Sequence, residues 1–190
     1  MSDALVAASL GRLAALATEC SKLAPQLRRV ADRYAGALRG GGTLYFCGNG
    51  GSAADAQHAA AEYVVRYRAT RRPLAAVALT TDSSILTAAG NDLGFEQIFA
   101  RQVEALCRPG DLLVLHSTSG RSPNLLAAAR AARARGVATV AFLGRGGPLA
   151  TEVDDAVLVP SDEPGHVQLL HLALEHLVVE LVEAALLEAP

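Results

Sequence analysis

The sequence predicts an α/β fold in which a parallel sheet is covered by helices on both faces. Five short apolar segments alternate with helical segments along the 190 residues. The short segments are apolar nearly throughout, which is typical of strands whose two faces are both buried. Strands that alternate with helices are typical of βαβ units and therefore of a parallel sheet. We expect a single domain over residues 1–190.

Residues 3–38 are predicted to form two helices. Leucines recur at helical spacing in the first, and Leu27, Val30 and Leu38 recur in the second. Pro25 suits the first turn of the second helix, where its missing N–H does no harm. These helices precede the first strand and have no sheet neighbour in sequence. They either cap the core of their own subunit or pack on another one, and we expect residues 1–40 to serve in oligomerisation.

The first strand, residues 43–47, leads through a glycine loop into a helix. Ser52 is the predicted N-cap of that helix, with Asp55 three residues later as in a capping box. We expect the helix to end near Tyr67.

Four further strands are predicted at residues 75–79, 111–116, 137–143 and 156–159. Asp82 can start a helix that Gly90 breaks. Ser122 and Pro123 are a good N-cap and first-turn proline for a later helix. A long final helix is expected over about residues 167–187.

Two polar loops follow strands, one at Gly48–Ser52 and one at Ser117–Ser122. In sheets of this type, ligands bind at the carboxyl ends of the strands. The second loop combines hydroxyls, backbone N–H groups and a helix N-terminus, which could hold a phosphate. The alternative is an ordinary serine-rich loop that caps a helix. The GxxxxGK[ST] pattern is missing, which disfavours nucleotide hydrolysis.

Two helices carry polar side chains that could form a site. His58 and Glu62 are four residues apart and share one helix face, where they could chelate a metal or act on one substrate. A surface hydrogen bond between them is the alternative. The final helix carries a polar stripe in an otherwise apolar sequence, and the alternative for these residues is partial exposure. The stripe consists of Gln168, His171, Glu175 and His176.

Composition excludes several classes of function. The net charge of −2 gives no reason to expect a nucleic-acid or anionic-membrane partner. The three cysteines lack metal-knuckle spacing and are expected to be reduced core thiols. Without a basic region before an apolar run, and without an unbroken apolar stretch of ~18 residues, we expect no membrane segment and a cytoplasmic protein.

Several motifs spread over nearly the whole chain resemble those of one known family. They are Gly48–His58 with Glu62, Arg66 and Tyr67; Ala78–Asp82; Gly90–Asp92 with Gly94–Glu96; Arg108–Asp111; and Ser117–Gly120 with Ser122–Asn124. Together they are similar to the signature of the phosphoheptose isomerases, the sedoheptulose 7-phosphate isomerases of the sugar-isomerase (SIS) family.

The resemblance implies an SIS-type three-layer sandwich with a five-stranded parallel sheet, preceded by the two N-terminal helices. It implies a homotetramer with active sites at subunit interfaces. The implied reaction converts sedoheptulose 7-phosphate to D-glycero-D-manno-heptose 7-phosphate through an enediol, for heptose biosynthesis. The alternatives are the same isomerisation on an octulose phosphate in a secondary-metabolite pathway, and a non-catalytic SIS protein that binds a replication initiator.

The resemblance also implies roles for individual residues. Glu62 corresponds to the base and His176 to the acid. One zinc ion per site corresponds to the ligands His58, Glu62, Gln168 and His176. The phosphosugar contacts fall on Asn49, Gly50, Gly51, Glu62, Asn91, Asp92, Ser117, Thr118, Ser119, Ser122 and Gln168.

Two segments depart from the family pattern. Before the glutamine the family commonly has a small or acidic residue, then Arg, then Ile, where this chain has Gly165-His166-Val167. This change bears on the choice of sugar more than on the class of reaction. His116 stands where the family often has a small or aliphatic residue.

Gln168 and His176 are too far apart on one helix to share an ion easily. Eight residues of helix rise ~12 Å, whereas zinc–ligand bonds are ~2 Å long. We therefore expect the Gln168 and His176 of one site to come from different subunits. A mixture of Glu62→Gln and His176→Ala subunits would ask whether the base and acid are shared in the same way.

Overall fold

The computed structural model describes residues 3–187, in which five parallel strands form one sheet between two layers of helices. The strand order is β2-β1-β3-β4-β5. The strands are β1 (Leu44–Gly48), β2 (Ala76–Ala78), β3 (Leu112–Ser117), β4 (Ala138–Leu143) and β5 (Asp155–Leu158). The predicted parallel five-stranded sheet is confirmed, and each strand lies within a few residues of its predicted position.

The helices also follow the predicted order. They are α1 (Asp3–Cys20), α2 (Ala24–Arg39), α3 (Gly51–Val64), α4 (Ser83–Asp92), α5 (Ala100–Leu106), α6 (Pro123–Ala134) and α7 (Pro164–Leu187). Short 3₁₀ turns lie at Ser21–Leu23, Phe95–Gln97 and Pro148–Thr151.

Each face of the sheet has its own hydrophobic core. Helices α2, α3 and α7 pack with one set of strand residues, which includes Phe46 and Val114. Helices α5 and α6 pack with the alternate set, which includes Cys47 and Leu115. Successive strand residues point to opposite faces, so strands buried on both sides are apolar at most positions, with His116 and Thr139 as buried polar exceptions. All three thiols are buried and unpaired, as expected.

Three predicted boundaries were wrong. The N-cap of α3 is Gly50, not Ser52, because the tight glycine turn brings the backbone into helical geometry two residues earlier. The same helix ends at Val64 instead of near Tyr67. Helix α4 continues to Asp92, and the glycine with positive φ that follows it is Gly94 rather than Gly90.

Helix α1 has little cover. Leu5 and Leu10 are each 60% exposed, and the helix contacts mainly the 3₁₀ turn that follows it. The segment Asp3–Arg39 contains an 18-residue window with a mean hydropathy of 1.2, of which 6% is buried. By length and composition alone this window could cross a membrane. It is not an unbroken apolar stretch, so the sequence pattern did not predict it. The apolar side chains of α1 are therefore largely exposed in the single chain.

Candidate active site

The glycine loop after β1 requires its glycines. Gly50 has φ 58° and ψ −121°, which disfavours residues with a side chain. A Cβ on Gly51 would stand 2.6 Å from Nε2 of Gln168. The Gln168 side chain therefore packs directly on the backbone at the start of α3, and any side chain at position 51 would displace its amide.

The loops after β1 and β3 lie side by side. Strand pairing places Gly48 opposite His116, so both strands end at the same level of the sheet. Asn49 donates from Nδ2 to Oδ1 of Asn124 at 2.9 Å, and Asn124 donates back at 2.8 Å. This reciprocal amide pair joins the first loop to the first turn of α6.

The serine loop after β3 is ordered by its own hydroxyls. Ser117 Oγ accepts a hydrogen bond from the Gly120 N–H at 3.0 Å, and Ser119 Oγ accepts one from the Arg121 N–H at 3.3 Å. Ser122 is the N-cap of α6, as predicted, and Pro123 follows in the first turn. The Ser122 side chain makes no capping hydrogen bond. Its hydroxyl is therefore available to a ligand.

A cleft opens beside this loop. Thr118 and Ser119 line it together with the guanidinium groups of Arg121 and Arg145. Asp162 pairs with Arg145 at 2.7 Å. The cleft thus places hydroxyls and positive charge next to the loop that the sequence assigns to phosphate.

His58, Glu62 and His176 come together in one chain. His58 Nε2 lies 3.1 Å from Glu62 Oε1 and 2.9 Å from His176 Nε2. One donor atom from each residue lies within 4.8 Å of the other two. Helix α3 supplies the first two residues and α7 the third, so the contact between these helices assembles the cluster. Glu62 and His176, the expected base and acid, therefore meet within one chain.

Gln168 lies away from this cluster. Its amide packs on Gly51, seven residues before His58, which is ~10 Å along helix α3. It also precedes His176 by eight residues on the continuous helix α7, which is ~12 Å of rise. One chain therefore assembles three of the four expected zinc ligands and holds its own Gln168 at the glycine loop.

Asn91 and Asp92 lie on a different helix from the cluster of His58, Glu62 and His176. Both are exposed at the end of α4, where Asn91 Nδ2 donates to Asp92 Oδ1 at 2.6 Å. Helix α4 packs on the 3₁₀ turn Phe95–Gln97 rather than on α3 or α7.

A buried polar group lies behind the cluster. Glu175 Oε1 accepts the Tyr34 hydroxyl at 3.1 Å and lies 3.1 Å from His116 Nε2. Within the described residues, Glu175 Oε2, His116 Nδ1 and both ring nitrogens of His171 have no protein partner. Burial, followed by the charge of His116, lowers the pKa of His171 to about 3, so this imidazole is neutral.

Sequence reasoning missed the partners of the site. Asn124, which orders Asn49, belongs to a quoted motif, and its position at the start of α6 beside a glycine loop could have signalled a role. In the sequence, Glu175 stands out only as part of the polar stripe of the final helix. Its partner His116 lies 59 residues earlier, and only the packing of α7 on β3 joins them.

Comparisons with known proteins place the chain in a family. The family model for the SIS domain matches residues 10–144. A phosphoheptose isomerase of Solidesulfovibrio magneticus is 57% identical over 153 residues, which cover 80% of this chain and 75% of that protein. One of Bradyrhizobium sp. (strain BTAi1) is 50% identical, over 98% of this chain and 96% of that protein.

The fold is also that of a solved relative. A phosphoheptose isomerase from Francisella tularensis superposes with a TM-score of 0.93 at 32% identity, covering 97% of this chain and 99% of that chain. The similarity therefore extends over the N-terminal helices and the final helix as well as the sheet.

Proposed function

This chain belongs to the phosphoheptose isomerases of the SIS family, and from that membership we infer that it interconverts sedoheptulose 7-phosphate and D-glycero-D-manno-heptose 7-phosphate. It is an aldose–ketose isomerase of phosphorylated sugars. The observation that carries the inference is the cluster of Glu62 and His176 around His58, on the helix that follows the glycine loop and the final helix. An octulose phosphate or a non-catalytic role is not needed to explain it.

Glu62 and His176 have the chemistry that the reaction requires. Isomerisation needs a base that takes the proton from carbon 1 of the ketose and returns it to carbon 2. It also needs an acid near the two oxygens to support the enediol. The carboxylate of Glu62 suits the first role and the imidazole of His176 the second. Both side chains are partly exposed, so a substrate can reach them.

The cluster also fits a zinc ion, which we propose at one per site. Its donors are two imidazole nitrogens and one carboxylate oxygen, which are common zinc ligands, and they lie within 4.8 Å of one another. His58, Glu62 and His176 would hold the ion, with Gln168 as a fourth ligand. An ion bound there would supply Lewis-acid polarisation of the sugar carbonyl.

The sugar phosphate would lie along the carboxyl edge of β1 and β3. We propose that the phosphate meets Ser117, Thr118, Ser119 and Ser122, and that the sugar meets Asn49, Gly50, Gly51, Glu62 and Gln168. The support is the ordered serine loop, the available Ser122 hydroxyl and the close backbone approach that the glycines permit.

The separated residues support an assembly in which sites lie between subunits. We propose a homotetramer in which Gln168, Asn91 and Asp92 complete the sites of neighbouring chains. The support is the position of Gln168 at Gly51, the exposed end of α4 and the uncovered apolar face of α1. We further propose a cytoplasmic location, which the unpaired thiols favour.

The function is tested by incubating the protein with sedoheptulose 7-phosphate and following the aldose by NMR. We expect turnover that a chelator lowers and added zinc restores. Glu62→Gln should lower kcat by about 10²–10⁴-fold, the usual contribution of a general base, and Glu104→Gln, at an exposed position of α5, should leave it unchanged. No aldose with any divalent metal would contradict the proposal.

A further inference from the structure

The segment between α3 and β2 is held by four hydrogen bonds to one buried carboxylate, that of Glu183. Glu183 of α7 is 3% exposed. Its Oε1 accepts the N–H of Tyr67 at 3.1 Å and Nε–H of Arg71 at 3.0 Å. Its Oε2 accepts the N–H groups of Arg68 and Ala69 at 3.1 and 2.9 Å. Four donors on one buried carboxylate fix the backbone of this segment.

The charge of this carboxylate is stabilised in place. Burial acts to raise the pKa of Glu183, but the N–H donors of Ala69, Tyr67 and Arg68 and the charge of Arg71 outweigh it. The net effect lowers the pKa below its ordinary value, so Glu183 is ionised at neutral pH.

Arg71 links the same carboxylate to the helix that carries the proposed base. Its Nη2 donates to the backbone carbonyl of Glu62 at 2.8 Å, and its Nη1 donates to that of Tyr63 at 2.8 Å. These carbonyls belong to the last turn of α3, whose acceptors have no partner within the helix. Glu183 and Arg71 therefore hold the end of α3 and the following segment together.

This segment presents Tyr67 to the proposed acid. The rings of Tyr67 and His176 stack with centroids 5.0 Å apart and planes 8° from parallel. The Arg68 guanidinium lies over the same tyrosine ring at 5.4 Å, and it is held by Glu180 at 2.7 Å. The tyrosine ring therefore restricts the rotation of the His176 imidazole about its own bonds.

We propose that Tyr67 is a positioning residue that sets the orientation of the His176 imidazole, and that the Arg71–Glu183 pair is its support; this rests on the role proposed for His176. The His176 imidazole must keep its Nε2 directed toward His58, because a small misplacement of a reacting group lowers the rate strongly. The stacked ring supplies this constraint without touching the substrate. The planar ring is the feature that acts, and the hydroxyl is not required.

Conservative and non-conservative variants separate these features. Tyr67→Phe keeps the ring, whereas Tyr67→Leu keeps an apolar side chain without a planar face. We expect Tyr67→Leu to lower kcat about 10-fold or more while KM changes less than about 3-fold, since orientation affects the chemical step. Tyr67→Phe should retain kcat within about 2-fold. Thermal unfolding midpoints establish that each variant folds, and Tyr67→Met replaces the leucine variant if that one does not.

A second measurement does not depend on turnover. Zinc binding is measured by equilibrium dialysis on the same variants, because groups that orient a metal ligand typically affect affinity about 10–100-fold. We expect weaker binding in Tyr67→Leu and unchanged binding in Tyr67→Phe. A folded leucine or methionine variant with wild-type kcat and zinc affinity would overturn the proposal, as would a phenylalanine variant that is equally impaired. The wild type and the variants could show this pattern of zinc binding while the wild type turns over no sugar. The proposed function would then fail, and the positioning of the His176 imidazole by Tyr67 would stand.

Discussion

At the residue scale, the site combines groups that the sequence identifies with groups that it does not. His58 and Glu62 share a helix face because of their spacing, and α3 places them as that spacing predicts. His176 joins them from a helix more than a hundred residues later. His116 and His171 are buried beside Glu175 and form the back of the site.

The buried His171 predicts a dependence of stability on pH. Its pKa lies at about 3 in the folded protein and near 6.5 in the unfolded chain. Between these values the unfolded chain binds an additional proton, so acid weakens the fold. From pH 7 to pH 5 this single group should lower the free energy of unfolding by about 2 kcal/mol.

Replacing the imidazole tests this expectation. His171→Leu should remove that part of the pH dependence, which urea unfolding of both proteins at pH 7 and pH 5 measures. Parallel losses of stability in wild type and variant would show that the group does not titrate as described.

At the element scale, α7 is the helix on which the site depends. It carries His176 and Gln168, and it is joined to β3 by Glu175 and to the segment after α3 by Glu183. The His116–Glu175 contact links the strand that ends in the serine loop to the helix that carries the proposed acid.

The His116–Glu175 pair predicts non-additive effects on stability. His116→Val or Glu175→Leu alone leaves a buried polar partner and should cost about 3–5 kcal/mol. The double variant removes both charged partners and should recover part of that loss; the remainder is expected because the buried Tyr34 hydroxyl loses its acceptor on Glu175. Urea unfolding of the four proteins completes the cycle. Additive losses in the double variant would contradict a direct interaction.

At the scale of the whole molecule, the described chain is incomplete in two ways. It leaves the leucines of α1 exposed, and it keeps Gln168 away from the other proposed zinc ligands. Both observations support the proposed assembly with further copies.

The exposed face of α1 predicts where the assembly breaks. Leu5→Glu with Leu10→Glu places two charges on that face and should shift the protein to smaller species in analytical ultracentrifugation. Ala134→Glu, exposed on α6, is the matched control and should leave the mass unchanged. If the assembly keeps its mass, α1 lies outside the interface; co-sedimentation of the wild type with lipid vesicles would then indicate a membrane as its cover.

Shared sites predict recovery of activity in mixed assemblies. Gln168→Ala and Glu62→Gln subunits should each be inactive, and refolding them together should restore activity to some sites. A mixture of Glu62→Gln with His176→Ala is the control, because those side chains meet within one chain and no intact pair can form between subunits. Recovery in the control but not in the first mixture would reverse this assignment.

The sequence by itself determined the class of fold, the five strands and the loops that carry the ligand groups. It could do so because strand apolarity, glycine turns and helical spacing are local patterns. The family motifs extended this to the proposed roles of Glu62 and His176. The N-cap of α3 was missed because two adjacent glycines allow a turn that the capping rules for serine do not consider.

Only the tertiary structure decided which side chains meet. The contact of α7 with α3 and β3 brings His176 to His58 and Glu175 to His116, and it stacks Tyr67 on His176. It also separates Gln168 from His58, Glu62 and His176, although the family motifs imply that these four residues bind one zinc ion. The physical reason is that helix packing and strand register set distances between segments remote in sequence, and no local pattern encodes them.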